Sequence, residues 1–220
     1  MEGRHRISYR RSLGRAGPPT MLLLAFLLVD CSSRPSRLYV LSSLANSPTM
    51  STDATSNRTD TETRSIGKAG AAHVFGVTVY VPEYLDRLDV VRRATDNMVQ
   101  LNYDVQWAES LSVTATRALV DNLASMLPMA DVLAMPSRTR RTSDFQISLD
   151  LTRFESETDG LSVIAGRWNI TDSNGTERAN GRIYRVEPVK KPKDAEEMAE
   201  AMSRNLLAAS NEIADACRKL

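Results

Sequence analysis

Few residues of this 220-residue chain could carry out chemistry. It contains two histidines, His5 and His73, and two cysteines, Cys31 and Cys217. A nucleophile paired with a histidine base would have to use His73, which follows a segment of small polar residues. A zinc site needs three or four cysteine or histidine ligands at motif spacing. The sequence has neither pattern, so we predict no catalytic residue, no metal site and no cofactor.

Carboxylates are the remaining candidates for acid and base chemistry. Glu83 and Asp86 are three residues apart in PEYLDR, but Asp86 beside Arg87 is more typical of a turn with a surface ion pair. Residues 170–177, ITDSNGTE, resemble a calcium loop, but Ile170 occupies the first ligand position. A hairpin is therefore the better interpretation there, and a hydrolase that uses carboxylates is only a minor alternative.

Cys31 has the most informative surroundings. Residues 21–29, MLLLAFLLV, are apolar and follow a lead that carries arginines. At about 1.5 Å per residue this run covers about 14 Å, too little to cross a hydrocarbon layer of about 30 Å. A basic lead, a short apolar core and a cysteine at its end predict an export signal over residues 1–30 and acylation of Cys31, with palmitate as a typical chain.

The sequence around the predicted cleavage point leaves alternatives open. Leu28 and Val29 fit a lipoprotein signal, whereas Asp30 occupies the position of a small residue. An ordinary signal peptide would leave Cys31 as a plain thiol. A translation start at Met21 would shorten the long basic lead.

Charge argues against one class of partner. The formal net charge is +1, and removal of residues 1–30 takes away five arginines and two carboxylates, which leaves −2. Binding to nucleic acid needs a concentrated positive surface. We therefore predict no nucleic-acid partner, and the remaining length of about 190 residues suits one domain.

Composition and periodicity outline the domains and elements. Residues 42–72 contain almost no large apolar side chains, so we predict a lipidated N-terminus and flexible linker over 31–72 and a folded domain over 73–220. Alternating apolar residues predict strands, and a spacing of three or four residues predicts helices. Asp159-Gly160 and Asn174-Gly175 predict hairpin turns within a three-stranded meander. The predicted strands are 38–41, 74–81, 97–107, 131–136, 144–155, 161–171 and 177–187, and the predicted helices are 110–127 and 194–218.

These elements predict an α+β fold. The most economical packing places both main helices on one face of an antiparallel or mixed sheet that ends in the three-stranded meander. In the strand over 97–107, we expect Val99, Leu101, Tyr103, Val105 and Trp107 to share a half-buried side.

Six sequence blocks together resemble a known family. They are LxxC followed by serine, RLYVL at 37–41, VPEYLDR at 81–87, QLNYDVQWAESL at 100–111, TRALVDNLASML at 116–127 and DFQISLDLTRFE at 144–155. In this order and spacing the blocks are similar to the auxiliary lipoproteins of ABC-type lipid transport systems, the family of paraquat-inducible protein C.

The resemblance implies a non-enzymatic lipoprotein on the periplasmic face of the bacterial outer membrane, with Ser32 favouring sorting to that membrane. It implies a transporter partner with mammalian-cell-entry domains, phospholipid as the transported molecule, and a homo-oligomer. The candidate interaction surface is Tyr84, Asp86, Arg87, Trp107 and Glu109, with core packing as the alternative for Tyr84 and Trp107. A stand-alone periplasmic module that binds lipid or a small molecule is the alternative function.

Overall fold

The computed structural model describes residues 37–45, 73–137 and 141–220. Across these three ranges, no helix is both long and apolar enough to cross a membrane. The predicted signal over 1–30, the acylation site Cys31 and the linker residues 46–72 lie outside the described residues.

The described residues form an eight-stranded mixed sheet and two helices, as the predicted α+β class requires. In chain order the strands are β1 Arg37–Tyr39, β2 His73–Tyr80, β3 Asp89–Thr95, β4 Met98–Trp107, β5 Ala130–Ala134, β6 Phe145–Glu157, β7 Leu161–Asp172 and β8 Glu177–Pro188. The helices are α1 Leu111–Met126 and α2 Ala195–Cys217.

Strand β6 organises the sheet because it has neighbours on both edges. On one edge its first half pairs in parallel with β2, and its last residues pair in parallel with β3. On the other edge it begins the predicted antiparallel meander with β7 and β8. Strand β5 lies beyond β2, and β4 and β1 lie beyond β3, so β1, β5 and β8 are the edge strands.

A bulge in β6 keeps its apolar side chains on the core side. Ile147, Leu149 and Leu151 are buried in alternation, and the register with β7 then shifts between Leu151 and Arg153, so that Phe154 is also buried. At this point the opposite strand carries Gly166, where a Cβ atom would lie 2.2 Å from the carbonyl oxygen of Asp150. The bulge therefore requires glycine at position 166.

Both helices cover one face of the sheet. Helix α1 packs on β2 and β5, α2 packs mainly on β7 and β8, and the two helices pack against each other. Asp194 caps α2, since its side chain accepts a hydrogen bond from the backbone N–H of Glu196 at 3.0 Å. The packing of both helices on one face agrees with the prediction.

Two details of the sheet differ from the sequence-based expectation. Strand β3 was not predicted. In β4, Trp107 is buried, whereas Val99 and Tyr103 are 40% and 72% exposed, so the expected half-buried side of β4 is wrong at these two residues. The cause is a shift in the pairing of β3 with β4, in which residues 103–105 have no register partner in β3.

Residues 37–45 belong to the folded body, although they fall within the predicted lipidated N-terminus and linker over 31–72. Strand β1 pairs in parallel with β4, and Leu41 is buried between sheet and helices. The backbone N–H groups of Leu41 and Ser42 donate to the hydroxyl groups of Thr114 and Ser203 at 3.2 and 3.1 Å. The N-terminal segment is thus held by both helices.

Candidate functional site

The turn over residues 81–88 lies at the centre of the candidate site. It connects β2 to β3, and its Leu85 is 2% exposed and anchors the turn in the core. The N–H of Leu85 also donates to the carbonyl oxygen of Pro82 at 2.8 Å. With Leu85 fixed, Tyr84 and Asp86 on either side contact different parts of the fold.

Tyr84 belongs to a cluster around a buried carboxylate, Glu155. The Tyr84 hydroxyl donates to Glu155 Oε2 at 3.0 Å and accepts from the guanidinium of Arg93 at 3.0 Å. Glu155 Oε1 accepts from Arg93 Nε and, at 3.1 Å, from Arg153 Nε. Arg153 also donates to Glu157 Oε1 at 2.5 Å. The cluster joins the turn, β3 and β6 on the helix-free side of the sheet.

The electrostatics of this cluster are those of a satisfied network. Burial, followed by the charge of Glu155, raises the pKa of Tyr84, and the hydrogen bond to Glu155 is the largest cause that raises the pKa of Arg93. Both oxygens of Glu155 have partners with opposite charge or an O–H donor. Glu155 is therefore positioned to stabilise the sheet rather than to accept a proton from a substrate.

Asp86 faces the first turn of α1. Its Oδ1 accepts a hydrogen bond from the backbone N–H of Ser112 at 3.1 Å, whereas the N-cap residue Ser110 makes no capping hydrogen bond of its own. A carboxylate at a helix N-terminus is stabilised by the unpaired N–H groups and the helix dipole. The turn thus supplies the cap that α1 lacks locally.

A groove of about 730 Å³ lies beside this cap. It forms because β5 pairs with β2 only as far as Val77 and Ala134, after which the chain turns away from the sheet. The buried N–H of Val79, which lies beyond the last residue of β2 paired with β5, donates to Thr116 Oγ1 of α1 at 3.1 Å. Most of the lining is apolar, and it includes the side chains of Tyr80, Asp86, Val113, Arg117, Leu133 and Met135.

The groove combines exposed apolar side chains with a charged border. Tyr80 and Val113 are 55% and 42% exposed. Arg117, which is 65% exposed, forms an ion pair with Glu109 at 2.9 Å. An apolar surface with charges at its border is the usual composition of a protein-binding site.

The structure separates the five residues predicted to form an interaction surface. Asp86 lines the groove, and Glu109 lies next to it through Arg117. Tyr84 belongs to the Glu155 cluster, and Arg87 forms an ion pair with Asp89 at 2.8 Å. Trp107 is 2% exposed and packs in the core, and core packing was the alternative expected for this residue.

Sequence reasoning missed both the apolar lining of the groove and the carboxylate cluster. A signal for the lining exists in Val113, which is apolar but lies off the buried stripe of α1. Arg93 and Glu155 are 62 residues apart, so no local pattern connects them.

Of the histidines and cysteines first considered for chemistry, His73 and Cys217 lie within the described residues, and both pack against other side chains. Within the ranges that the structure describes, no three His, Cys, Asp or Glu residues lie together in a way that could hold a metal ion. Burial raises the pKa of the Cys217 thiol to about 12. His73 makes edge contacts with the rings of Phe75 and Phe145.

Comparison with known proteins identifies the family. A sequence model of the ABC-type transport auxiliary lipoprotein component matches residues 57–214, which is more than half of the chain. The chain belongs to this family. Its resemblance to auxiliary lipoproteins of ABC-type transport is thereby confirmed, and the comparison with curated proteins gave no match.

Solved structures share the fold of this auxiliary lipoprotein. A crystal structure of an uncharacterized protein is 25% identical, with a TM-score of 0.58, and the match covers 66% of this chain and 90% of that one. A protein from Xanthomonas campestris is 18% identical, with a TM-score of 0.54, over 64% of this chain and 81% of its own. A PelC dodecamer from Paraburkholderia phytofirmans has a TM-score of only 0.41 at 14% identity, over 67% of this chain and 90% of its own.

Proposed function

We propose that this auxiliary lipoprotein is a non-enzymatic component that docks an ABC-type phospholipid transporter with mammalian-cell-entry domains to the outer membrane. In this proposal residues 1–30 are removed, Cys31 is acylated, and the folded body stands on the periplasmic face. Membership of the transport auxiliary family supports the transport role. The apolar run that ends at Cys31 supports the anchor.

The groove beside Asp86 is the observation that carries the docking function. It is open, lined mainly by apolar side chains, and bordered by Arg117, which is 65% exposed. The binding energy of a protein interface is concentrated in a few apolar or arginine side chains within a polar rim. The occupant in this proposal is a polypeptide segment of the mammalian-cell-entry protein, which places apolar side chains on Val113 and Leu133 and a carboxylate on Arg117.

Crosslinking in intact cells tests this docking function. Val113→Glu and Arg117→Glu should each lower recovery of the mammalian-cell-entry protein about tenfold, which corresponds to the loss of about 1.4 kcal/mol of binding free energy. Arg178→Glu is the matched control, because Arg178 is 50% exposed, contacts an acidic residue and lies on β8, at the opposite edge of the sheet from β5. Unchanged recovery with both groove variants, while the proteins remain folded, would refute docking through the groove.

The same groove supports a second candidate, a stand-alone periplasmic module that binds lipid or a small molecule. Its volume of about 730 Å³ lies within the range of ligand sites. Native mass spectrometry of the purified protein distinguishes the two functions. Stoichiometric lipid that is lost in Val113→Glu would favour the binding module, whereas a lipid-free protein that still captures the transporter would favour docking.

The anchor has its own test. Two or more acyl chains make membrane attachment effectively stable, since each buried CH₂ adds about 0.8 kcal/mol. Cys31→Ala should therefore move the protein from the membrane fraction to the soluble fraction, with the transporter partner no longer retained by it. Membrane retention of Cys31→Ala would refute acylation at this position.

A homo-oligomer is also part of the proposal. Tyr184 and Val186 are 63% and 40% exposed, and alternation along β8 places them on the side of the sheet opposite buried Ile183, away from the helices. Exposed apolar side chains on an uncovered sheet face are typical of contact surfaces. Analytical ultracentrifugation should show an assembly larger than the monomer, and Tyr184→Glu should reduce it.

A further inference from the structure

The first described residue of the fold, Arg37, lies six residues after the proposed anchor, Cys31. Strand β1 starts at Arg37, which pairs with Val105 of β4. From there the chain stays bound to the body: the carbonyl oxygen of Tyr39 accepts from the N–H of Ala108 at 2.8 Å, and Leu41 is 6% exposed. Ser43 continues this attachment, since its hydroxyl donates to the side-chain oxygen of Asn122 at 2.9 Å.

This attachment limits the distance between the body and an acylated Cys31. Six residue steps from Cys31 to Arg37, at no more than about 3.6 Å each, span at most about 22 Å. A flexible linker that continued to His73 would instead allow a span of about 150 Å. Residues 46–72 follow β1 in the sequence, so they add nothing to the distance between Cys31 and Arg37. The edge of the sheet that contains β1 must therefore stay near the bilayer.

The surface at this edge has the composition of a membrane-contact surface. Leu38 and Val40 are 62% and 56% exposed and lie two residues apart, on the same side of an extended segment. Tyr103, which is 72% exposed, lies two residues before Val105, the register partner of Arg37. Leucine and valine insert into the boundary of the acyl chains, and tyrosine is enriched at the level of the headgroups.

Charge at this edge does not favour anionic lipid headgroups, because the exposed carboxylate Asp104 directly follows Tyr103. Arg37 is exposed, but it lines a shallow groove together with Glu196 and Glu200 at the beginning of α2. The carboxylates oppose the attraction of Arg37 to anionic lipid. Contact with the bilayer should consequently depend on apolar insertion and change little with salt.

We propose that the β1 edge, with Leu38, Val40 and Tyr103, rests on the phospholipid surface and fixes the orientation of the domain. This inference relies on the proposed acylation of Cys31. It deepens the proposed function, because it assigns the surface by which the docking component contacts the outer membrane.

Depth-dependent quenching tests the proposed orientation. Single-cysteine variants Leu38→Cys and Val40→Cys of the full lipoprotein are labelled with a polarity-sensitive fluorophore. The lipoprotein is then placed in phosphatidylethanolamine and phosphatidylcholine vesicles that contain a lipid with a quencher near its headgroup. Ser173→Cys and Met129→Cys are matched controls, because both side chains are exposed and lie on other parts of the fold, with Ser173 in the turn between β7 and β8. Native Cys217 is buried, so it does not compete for the label.

Labels at positions 38 and 40 should be quenched at least about twofold more than the control labels, because an interfacial side chain enters the headgroup region by about 5–10 Å. Raising the salt concentration should leave the difference unchanged. Equal quenching at all four positions, for protein that floats with the vesicles, would overturn the orientation while the anchor stands. Protein that does not float would refute the anchor and this inference together. If the labels at positions 38 and 40 are shielded from solvent in the absence of lipid, and the protein sediments as an oligomer, the β1 edge is instead a contact between copies of this chain.

Discussion

The buried carboxylate Glu155 provides a direct test of how the turn, β3 and β6 are held together. Its side chain is 0% exposed and lies between the guanidinium groups of Arg93 and Arg153. Replacement of Glu155 by glutamine keeps the size and one acceptor oxygen but removes the negative charge. The two arginines are then left side by side without the carboxylate that they share.

The expected cost follows from the exposure of the two arginines. Removal of one partner from a fully buried ion pair lowers the free energy of unfolding by about 3–5 kcal/mol. Arg93 and Arg153 are 18% and 30% exposed, and Arg153 retains Glu157 at 2.5 Å, so water and a second partner reduce the penalty. We expect Glu155→Gln to lower the free energy of unfolding by about 2 kcal/mol, or Tm by about 4–8 °C for a domain of this size.

Urea denaturation of the purified protein, followed by circular dichroism, measures this change. The control is Glu212→Gln, because Glu212 forms an ion pair with Arg185 at 2.6 Å but both side chains are partly exposed, at 32% and 52%. An exposed pair contributes at most about 1 kcal/mol. If Glu155→Gln lowers the free energy of unfolding by no more than Glu212→Gln does, the Glu155 cluster does not stabilise the fold as we argue.

Three further predictions concern a titration, a thiol and a backbone contact. The raised pKa of Tyr84 means that the folded state favours its neutral form, so the stability that this gives is present below the pKa of the unfolded state and is lost as pH rises through the pKa of the folded state. The difference in ultraviolet absorbance between the parent and Tyr84→Phe should therefore titrate above 10.0, the ordinary pKa of a tyrosine. A midpoint at or below 10.0 would contradict this. Because burial raises the pKa of Cys217 to about 12, its thiol should resist a disulfide reagent at mildly alkaline pH until urea unfolds the protein, and rapid reaction in the native state would show that it is accessible. Gly166→Ala should lower the free energy of unfolding, measured by urea titration, by roughly 3 kcal/mol or more, because the new Cβ would lie 2.2 Å from the Asp150 carbonyl oxygen. Thr152→Ala, at an exposed position beside the same bulge, should change this free energy by no more than about 1 kcal/mol.

The elements that the sequence predicted are those whose buried face has a regular period. Residues 145–151 alternate strictly between the core and the opposite side, and the apolar stripe of α2 recurs every three or four residues. Strand β3 lacks such a period, since the adjacent residues Val90 and Val91 are both buried and the arginines that follow are half-buried. Its pattern arises from burial on both sides of the strand, which the local sequence does not specify.

The candidate site depends on contacts between distant segments. The groove exists because β5 leaves β2 after Ala134, and its lining comes from β2, α1 and the end of β5. The turn that contains Asp86 was predicted, but the bond from Ser112 to Asp86 joins residues 26 positions apart. Residue types along the chain therefore indicated the turn and not the surface that it helps to build.

The N-terminal segment shows why composition misplaced the beginning of the fold. A count of apolar side chains assigns residues 42–45 to a linker, because such a count indicates only how much side-chain surface a segment can bury. These residues are held in part by their backbone: the N–H groups of Ser42 and Ala45 donate to Ser203 and Asn122. A serine or alanine can make such bonds as well as any other residue. The helices, through the buried polar side chains of Ser203 and Asn122, thus specify where the segment lies.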